Sequence, residues 1–564
     1  MSAEAVNPSL SLNSKTIKQP KRTPRRILKS KVRLSKAHSR VASHKSSLHH
    51  QQLAKAKKNY QNAVRKARLQ QCVDHDTKMS SIVTSKPQAV YKYIKSIRKT
   101  KTTTIDKLTV GDKVYTGPRV PDGFYDSMTA LKSCDFEQLK ADTNLKENFS
   151  NYEHILRLCK DNHTITEAKS TKILKRMKKD VIDFFSITAL HYLHAGEEGI
   201  VHLTAVLNSV ITEVNNATIE ELNVAYGLIL YKGHSKDKTR DSSYRTISTC
   251  PFLAKALDLY LRDLYQDLWN ASTATTQYQA AGSSHELASL LVTELIQYSL
   301  FVLNLPLYLL VLAAQSAFDR CLRQILCCEL FRVGMSGTAL LLIDNRLANR
   351  STVYEWDGSM MGPAADDTGF EQGGINSGDY YKHYNNEQVK TAQSSNLGVN
   401  IASSVVSGIA DAYDVIFSAI NVDNLGLLAR LTESYCAKFR VKLVPSKTKL
   451  LPIYKKEHQV LVDYAELVNP VKINGEKVEF VTEAEHVGVL RSVSGNIPNI
   501  LQQILAYKRA LGSVSSAGLA RAHRTNPAAS LRVHQLYCTP VLLSGLASLV
   551  LSKSEISLIE NHFK

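Results

Sequence analysis

Apolar positions recur along this chain with two periods, and each change of period predicts a change of element. A three-to-four spacing predicts helix. It is seen at residues 51–70, 88–105 (Val90, Tyr91, Tyr93, Ile94 and Ile97 on one side), 166–190 and 200–218. It returns through Leu253, Leu257, Tyr260, Leu261 and Leu264, then Ser283–Leu300, then Ser316–Val333, which Gly334 ends. Further helices are expected from about residue 378, through Leu425, Leu428, Leu431 and Tyr435, and over most of the last 60 residues. Continuous or alternating apolar runs predict strands at 225–232 and 307–313 and a hairpin centred on 409–414. Val471–Phe480 predicts a second hairpin, because Asn474-Gly475 suits a type I′ turn. Residues 105–165 are mixed and polar and read as a linker with local structure.

The apolar run Leu300–Ala314 is short of a membrane span and contains Asn304 and Pro306, so it reads as a buried strand, with no membrane partner. The 564 residues are too many for one core and predict two or three domains.

Charge changes this picture at one end only. The formal charge of the chain is +20, and residues 1–70 carry 18 Lys/Arg against Glu4 alone, which leaves +3 for the rest. Residues 1–50 have few large apolar groups, and the expectation is a disordered basic tail. Such a tail binds nucleic acid nonspecifically by releasing counterions, through residues such as Lys21, Arg22, Arg25, Arg26, Lys57 and Lys58. The competing reading is a solvated leader without a partner. Lys21–Arg26 also has the pattern of a nuclear import signal. The nine cysteines form no Cys-x-x-Cys pair, which argues against zinc sites and a disulfide framework and for an intracellular, reducing compartment. No apolar signal segment opens the chain.

Six short runs carry candidate chemistry, in this order. They are Tyr244-Arg245-Thr246-Ile247-Ser248, Gln277–Ser284, Leu312-Ala313-Ala314-Gln315-Ser316-Ala317-Phe318-Asp319, Glu371-Gln372-Gly373-Gly374, Gly408–Phe417, and Val444-Pro445-Ser446-Lys447-Thr448-Lys449. Together they resemble the reverse transcriptase domain of a non-LTR retrotransposon, from about residue 225 onward. The resemblance implies an RNA-directed DNA polymerase using an RNA template, a DNA primer, deoxynucleotides and Mg²⁺. The implied fold is α+β, a right-hand polymerase with fingers, an antiparallel-sheet palm and a partial helical thumb. The expected division is 1–50 tail, 51–165 helical extension, 166–300 fingers, 301–500 palm and 501–564 thumb, with the thumb ending inside its usual length.

The family roles transfer residue by residue. Arg245 is implied to bind the incoming triphosphate, a task its planar guanidinium suits. Lys232 and Lys236 precede it and read either as phosphate contacts or as ordinary loop charge. Gln277–Ser284 is implied to touch the template, but it lacks the family's Arg and reads equally as a Ser-capped helix start. Phe318 matches the aromatic gate beneath the sugar, and is equally a core residue. Gln372, Gly373 and Gly374 are implied to approach the nucleotide pair closely, and Lys447 the leaving pyrophosphate.

The metal positions depart from the family. Its first motif reads Leu-Asp-x-x-x-Ala-Phe-Asp, and Ala313 stands where that first Asp is expected. Asp319 lies six residues on, past a turn, and is not expected to replace it. The hairpin motif, x-Ala-Asp-Asp, fits two registers. One keeps Asp411 and places Ala412 at the second carboxylate. The other places Tyr413 at the first and keeps Asp414, and the apolar Val415-Ile416-Phe417 directly after it favours this one. Ala365-Asp366-Asp367 is out of order and is discounted. Two ions about 3.5–4 Å apart clamp the reacting oxygens in such centres, and Mg²⁺ needs carboxylates. The expectation is therefore a polymerase by descent with impaired activity and poorly held Mg²⁺, Asp414 being its remaining weak ligand. The alternative is a non-catalytic, domesticated RNA/DNA-binding protein.

Overall fold

In the computed structural model the described residues are 25–43, 46–85, 91, 105–159, 163–179, 181–214, 220–233, 236–279, 283–348, 350–516 and 527–563. The chain is α+β and divides into two compact units: Met1–Thr100 with Leu505–Leu542, and Lys101–Ile504 with Leu543–Lys564.

In the first unit, helix Arg25–Ser43 packs beside helix Ser47–Ser85. Leu34 and Ala37 on one, and Leu53, Ala56, Tyr60 and Ala63 on the other, are half-buried at helical spacing. Over Arg25–Ser43 and from Ser47 onward this corrects the expected disorder, because a narrow apolar seam, easily missed among so many cations, is enough to pair two helices; residues 1–24 lie outside the described residues. Lys57 and Lys58 are exposed. Lys21 and Arg22 lie outside the described residues, as does the expected helix at 88–105 apart from Tyr91.

The second unit holds two main sheets. The first has order β4-β3-β6-β7, built from β3 (Val224–Tyr231), β4 (Tyr244–Thr249), β6 (Arg350–Trp356) and β7 (Ser359–Asp366). β3 pairs antiparallel with β4 and parallel with β6, more than 100 residues away. The expected boundary at residue 300 is therefore crossed by a sheet. The segment read as a linker also belongs to this sheet's core. Hairpin β1 (Lys107–Val110) and β2 (Lys113–Thr116) and helix Val120–Lys132 bury Leu108, Tyr115 and Phe124 against Ile229, Tyr244 and Tyr354. So few apolar residues, widely spaced, look polar locally and are core only once the sheet stands behind them.

The second sheet has order β10-β11-β5-β12-β15, from β5 (Leu307–Val311), β10 (Gly408–Asp411), β11 (Asp414–Ala419), β12 (Lys449–Ile453) and β15 (Glu479–Phe480). Both faces are covered. Tyr308, Leu310, Val415 and Phe417 share one core with Leu425 and Leu428 of helix Val422–Phe439. Leu307, Leu309, Ile409 and Ile416 share another with Ala288, Val292 and Leu295 of helix His285–Gln297. By length and composition alone, His285–Leu303 is apolar enough to cross a membrane. Three small hairpins complete the strands: β8 (Val399–Ile401) with β9 (Ser404–Val406), β13 (Lys472–Ile473) with β14 (Glu476–Lys477), and β16 (Glu483–His486) with β17 (Val489–Ser492).

Two expected boundaries move. Tyr244–Ser248 is strand, and the following helix begins at Phe252 behind Pro251. The helix expected from Ser316 begins at Arg323, after a 3₁₀ turn at Ala317–Asp319. Long-range bonds hold the intervening backbone: Gly369 N–H donates to Cys321 C=O at 2.7 Å, and Leu322 N–H to the Tyr384 hydroxyl at 3.2 Å.

Candidate nucleotide cleft

The hairpin β10–β11 is tight. Asp411 pairs with Asp414, so Ala412 and Tyr413 make a two-residue turn. Ala412 has φ +56, a left-handed conformation uncommon for alanine. Two distant side chains hold it there. Gln277 Oε1 accepts from Ala412 N–H at 3.1 Å, and Asn385 Nδ2 donates to Ala412 C=O at 2.9 Å. The second run thus has a described role, gripping this turn, while Ser284 caps helix His285–Gln297 by accepting from Leu287 N–H at 3.3 Å. No sequence signal points to Asn385.

Ala313 lies two residues past the end of β5. β5 pairs with β11 in the register Val311–Ile416, and Leu312 N–H continues the ladder to Val415 C=O at 3.0 Å. One more step sets Ala313 beside Asp414. Ala313 also meets the sixth run: its C=O accepts from Val444 N–H at 2.9 Å and its N–H donates to Thr448 Oγ1 at 3.3 Å. Exposed Lys447 lies within that turn.

The Gln372 loop joins from the other side. Gln372 C=O accepts from Ser248 N–H at 2.8 Å. Arg245 is three residues along the same strand, so the two are about 10 Å apart at ~3.3 Å per residue. Gly373 has φ +120, and a Cβ there would lie 2.6 Å from Ser248 O, so only glycine fits this approach. A Cβ on Gly374 would lie 2.5 Å from Ser377 Oγ. Gln372 Nε2 donates to Asp319 Oδ2 at 3.2 Å, beside Phe318. Phe318 stacks on Tyr381, centroids 4.8 Å apart, and meets Tyr413 edge-on at 6.0 Å.

Arg245 and Ile247 are exposed on one face of β4, and Leu228 opposite Ile247 is exposed with them. Lys232 continues that face, half-buried, with Nζ donating to Ser242 C=O at 2.8 Å. Its pKa is lowered, first by burial and then by the positive charges of Lys236, Lys447 and Arg245, with Asp319 opposing. Cations from three separate segments thus lie close enough to act on Lys232. Arg25 and Arg26 belong to the first unit's helix.

Carboxylates collect behind the hairpin. Burial, then Asp411 and Glu485, push Asp414 up to about 6. Burial also raises Asp411, with His285 opposing. The Tyr413 phenol is raised by burial and then by Asp414. These residues do not fit a two-ion Mg²⁺ centre: the side chain at position 313 has no oxygen, position 413 has a phenol, and Asp414 faces other carboxylates. Among the described residues, the ligand-type group whose atoms lie within 4.8 Å is Cys250, Asp258 and Glu371, wholly buried. Cys250 Sγ donates to Glu371 Oε2 at 2.5 Å and Arg346 lies 3.7 Å from Glu371, so a guanidinium already supplies the positive charge. The discounted Asp366 centres a different buried cluster, with Lys132 Nζ at 2.9 Å, Arg350 Nε at 3.1 Å and Thr352 Oγ1 at 2.7 Å. No family model and no curated protein matches the chain.

Proposed function

We propose that this chain is a reverse-transcriptase-like protein of non-LTR retrotransposon descent, with a right-hand polymerase fold, that binds nucleic acid in its cleft without extending a primer. One observation carries the reading. Hydrogen bonds and ring contacts link Tyr244–Thr249 to Gln372–Gly374, Phe318 to Tyr413 of the hairpin, and Val444–Thr448 to Ala313, which supports the reading, and Ala313 and Tyr413 stand where that reading expects carboxylates. Arg245, Lys232, Lys236 and Lys447 supply charge for phosphates. The basic helix pair of the first unit adds sequence-independent affinity for RNA or DNA.

The test is a primer annealed to an RNA template, offered to the full chain with deoxynucleotides and Mg²⁺ or Mn²⁺. Binding that weakens with salt and no extension is the expected result. Extension at an ordinary polymerase rate, on the order of 1–10³ per second, overturns the non-catalytic part. Failure to bind template–primer at low salt overturns the reading as a whole.

A further inference from the structure

The hairpin tip carries an aromatic ring where the proposed descent calls for a carboxylate, and that ring is open. Tyr413 is 45% exposed although Phe318 and Tyr381 both meet it edge-on, at 6.0 and 6.4 Å. Those two rings are themselves stacked on one another, and Tyr381 is buried. Tyr413 is therefore braced by a rigid aromatic pair while a large part of its surface faces solvent. Its backbone is equally fixed, since Gln277 and Asn385 tie down the residue before it. A braced, exposed ring at the end of a locked turn loses little conformational entropy on stacking.

The second observation is electrostatic and lies in the same cleft. Lys236, Lys447 and Arg245 each act on Lys232, and the carboxylate that opposes them there, Asp319, is hydrogen-bonded to the Gln372 amide. Among the described residues none of the four is ion-paired to a carboxylate at salt-bridge distance. Like charges held together without neutralisation favour an anion of several charges. A metal-dependent site neutralises phosphates with ions held on carboxylates. Here side-chain cations are available for that neutralisation, and the carboxylates Asp411, Asp414 and Glu485 gather at the hairpin itself.

We propose that Tyr413 is a ligand-binding residue: its open face stacks on the base or sugar of a nucleotide whose phosphates rest on Lys232, Lys236, Arg245 and Lys447, and no divalent ion takes part. The proposal rests on the nucleic-acid-binding reading of this cleft and deepens it. Loss of two carboxylates thereby exchanges metal-dependent chemistry for metal-independent binding.

The test titrates the full chain with dATP carrying a fluorescent N-methylanthraniloyl group, once in EDTA and once in Mg²⁺. Equal affinity in both is expected. Tyr413→Phe keeps the ring and should bind as the unmodified chain does. Tyr413→Ala should weaken binding about 5- to 150-fold, the range of a missing base–aromatic stack. Tyr413→Asp should weaken binding in EDTA, because it adds a negative charge beside the phosphates. Since Tyr413 is at the surface, a thermal melt distinguishes impaired binding from impaired folding.

Affinity that disappears in EDTA overturns the proposal, and so does Tyr413→Ala binding as tightly as Tyr413→Phe. Inorganic triphosphate competing as well as dATP also overturns it, because the ring then contributes nothing. Template–primer binding measured on the same protein separates the two levels. If template–primer binds and the labelled nucleotide does not, this inference alone fails. If neither binds, the parent reading fails with it.

Discussion

Two aspartates of the second unit, buried Asp366 and half-buried Asp414, show how one side chain behaves in opposite surroundings. Asp366 ends β7 and is enclosed by Lys132, Arg350 and Thr352; despite its burial these cations hold its carboxyl below the usual range. Asp414 begins β11 and meets Asp411 and Glu485, which with burial push it up to about 6. The first is a compensated charge that joins helix Val120–Lys132 to the sheet. The second has no cation of its own. The carboxylate at the sheet edge is charge-compensated, while those at the hairpin are not.

The most disruptive way to break this comparison is Asp366→Ala. It leaves Lys132 and Arg350 buried without a counter-charge and should cost about 3–5 kcal/mol of stability. Denaturant unfolding measures it, and a loss under about 1 kcal/mol would show that the cluster does not hold the sheet.

Rebuilding the hairpin is the next largest effect. The double variant Ala313→Asp with Tyr413→Asp places carboxylates at both positions beside Asp414. Primer extension should become detectable where the unmodified chain gives none, because both metal positions regain a carboxylate. Ala313→Asp alone should help little, because one carboxylate cannot hold two ions. If Ala313→Asp with Ala412→Asp succeeds where the Tyr413 pair fails, Asp411 is the ligand and the register of the motif is the other one.

A smaller effect tests Asp414 directly. Its folded pKa of about 6 lies above the unfolded value of about 3.9, so the folded state binds the proton more tightly. Stability should therefore rise as pH falls from about 7 towards 4. Asp414→Asn should remove that slope and stabilise the protein at pH 7 by about 1–2 kcal/mol, after allowing for solvent screening. Asp366 works in the opposite sense: its contribution is present above about pH 4 and is lost as pH falls through its depressed value. A pH series of melts that shows the Asp414→Asn variant unchanged in slope would remove the contrast between the two sites.

The smallest effect concerns the helix pair of the first unit. Replacing exposed Lys57 and Lys58 by Gln should lower the slope of log K against log salt for duplex DNA by about 0.9 for each phosphate left unneutralised. An unchanged slope would leave the cleft, and not the helices, as the source of nonspecific affinity.

What the amino-acid order determined by itself was local. Asn474-Gly475 turns with both residues at positive φ, as a type I′ turn requires. The apolar run after Asp414 puts the turn at Ala412-Tyr413, because a strand buried on both faces needs Val415, Ile416 and Phe417 in succession. Ser284 caps its helix, and Leu425, Leu428 and Tyr435 face inward at helical spacing. In each case the deciding interaction lies within a few residues, so composition and period carry it. The absence of a carboxylate at 313 and 413 is also legible from residue identity alone.

Tertiary structure decided what those residues meet. Gln277 and Asn385 reach Ala412 across 135 and 27 positions; the run holding Gln277 gave no sign of this partner, and Asn385 has no local pattern. Lys132 and Asp366 are 234 residues apart and bury their charges only together, which is why the first lies in an apparent linker and the second in an apparent decoy. Glu485 raises Asp414 from a hairpin whose own sequence gives no reason to look there. The crowding of Lys232 by Lys236, Lys447 and Arg245 likewise exists only once three segments converge. Hydrogen bonds and charges act over a few ångströms of space whatever their separation along the chain, so these interactions are properties of the fold and not of any stretch of sequence.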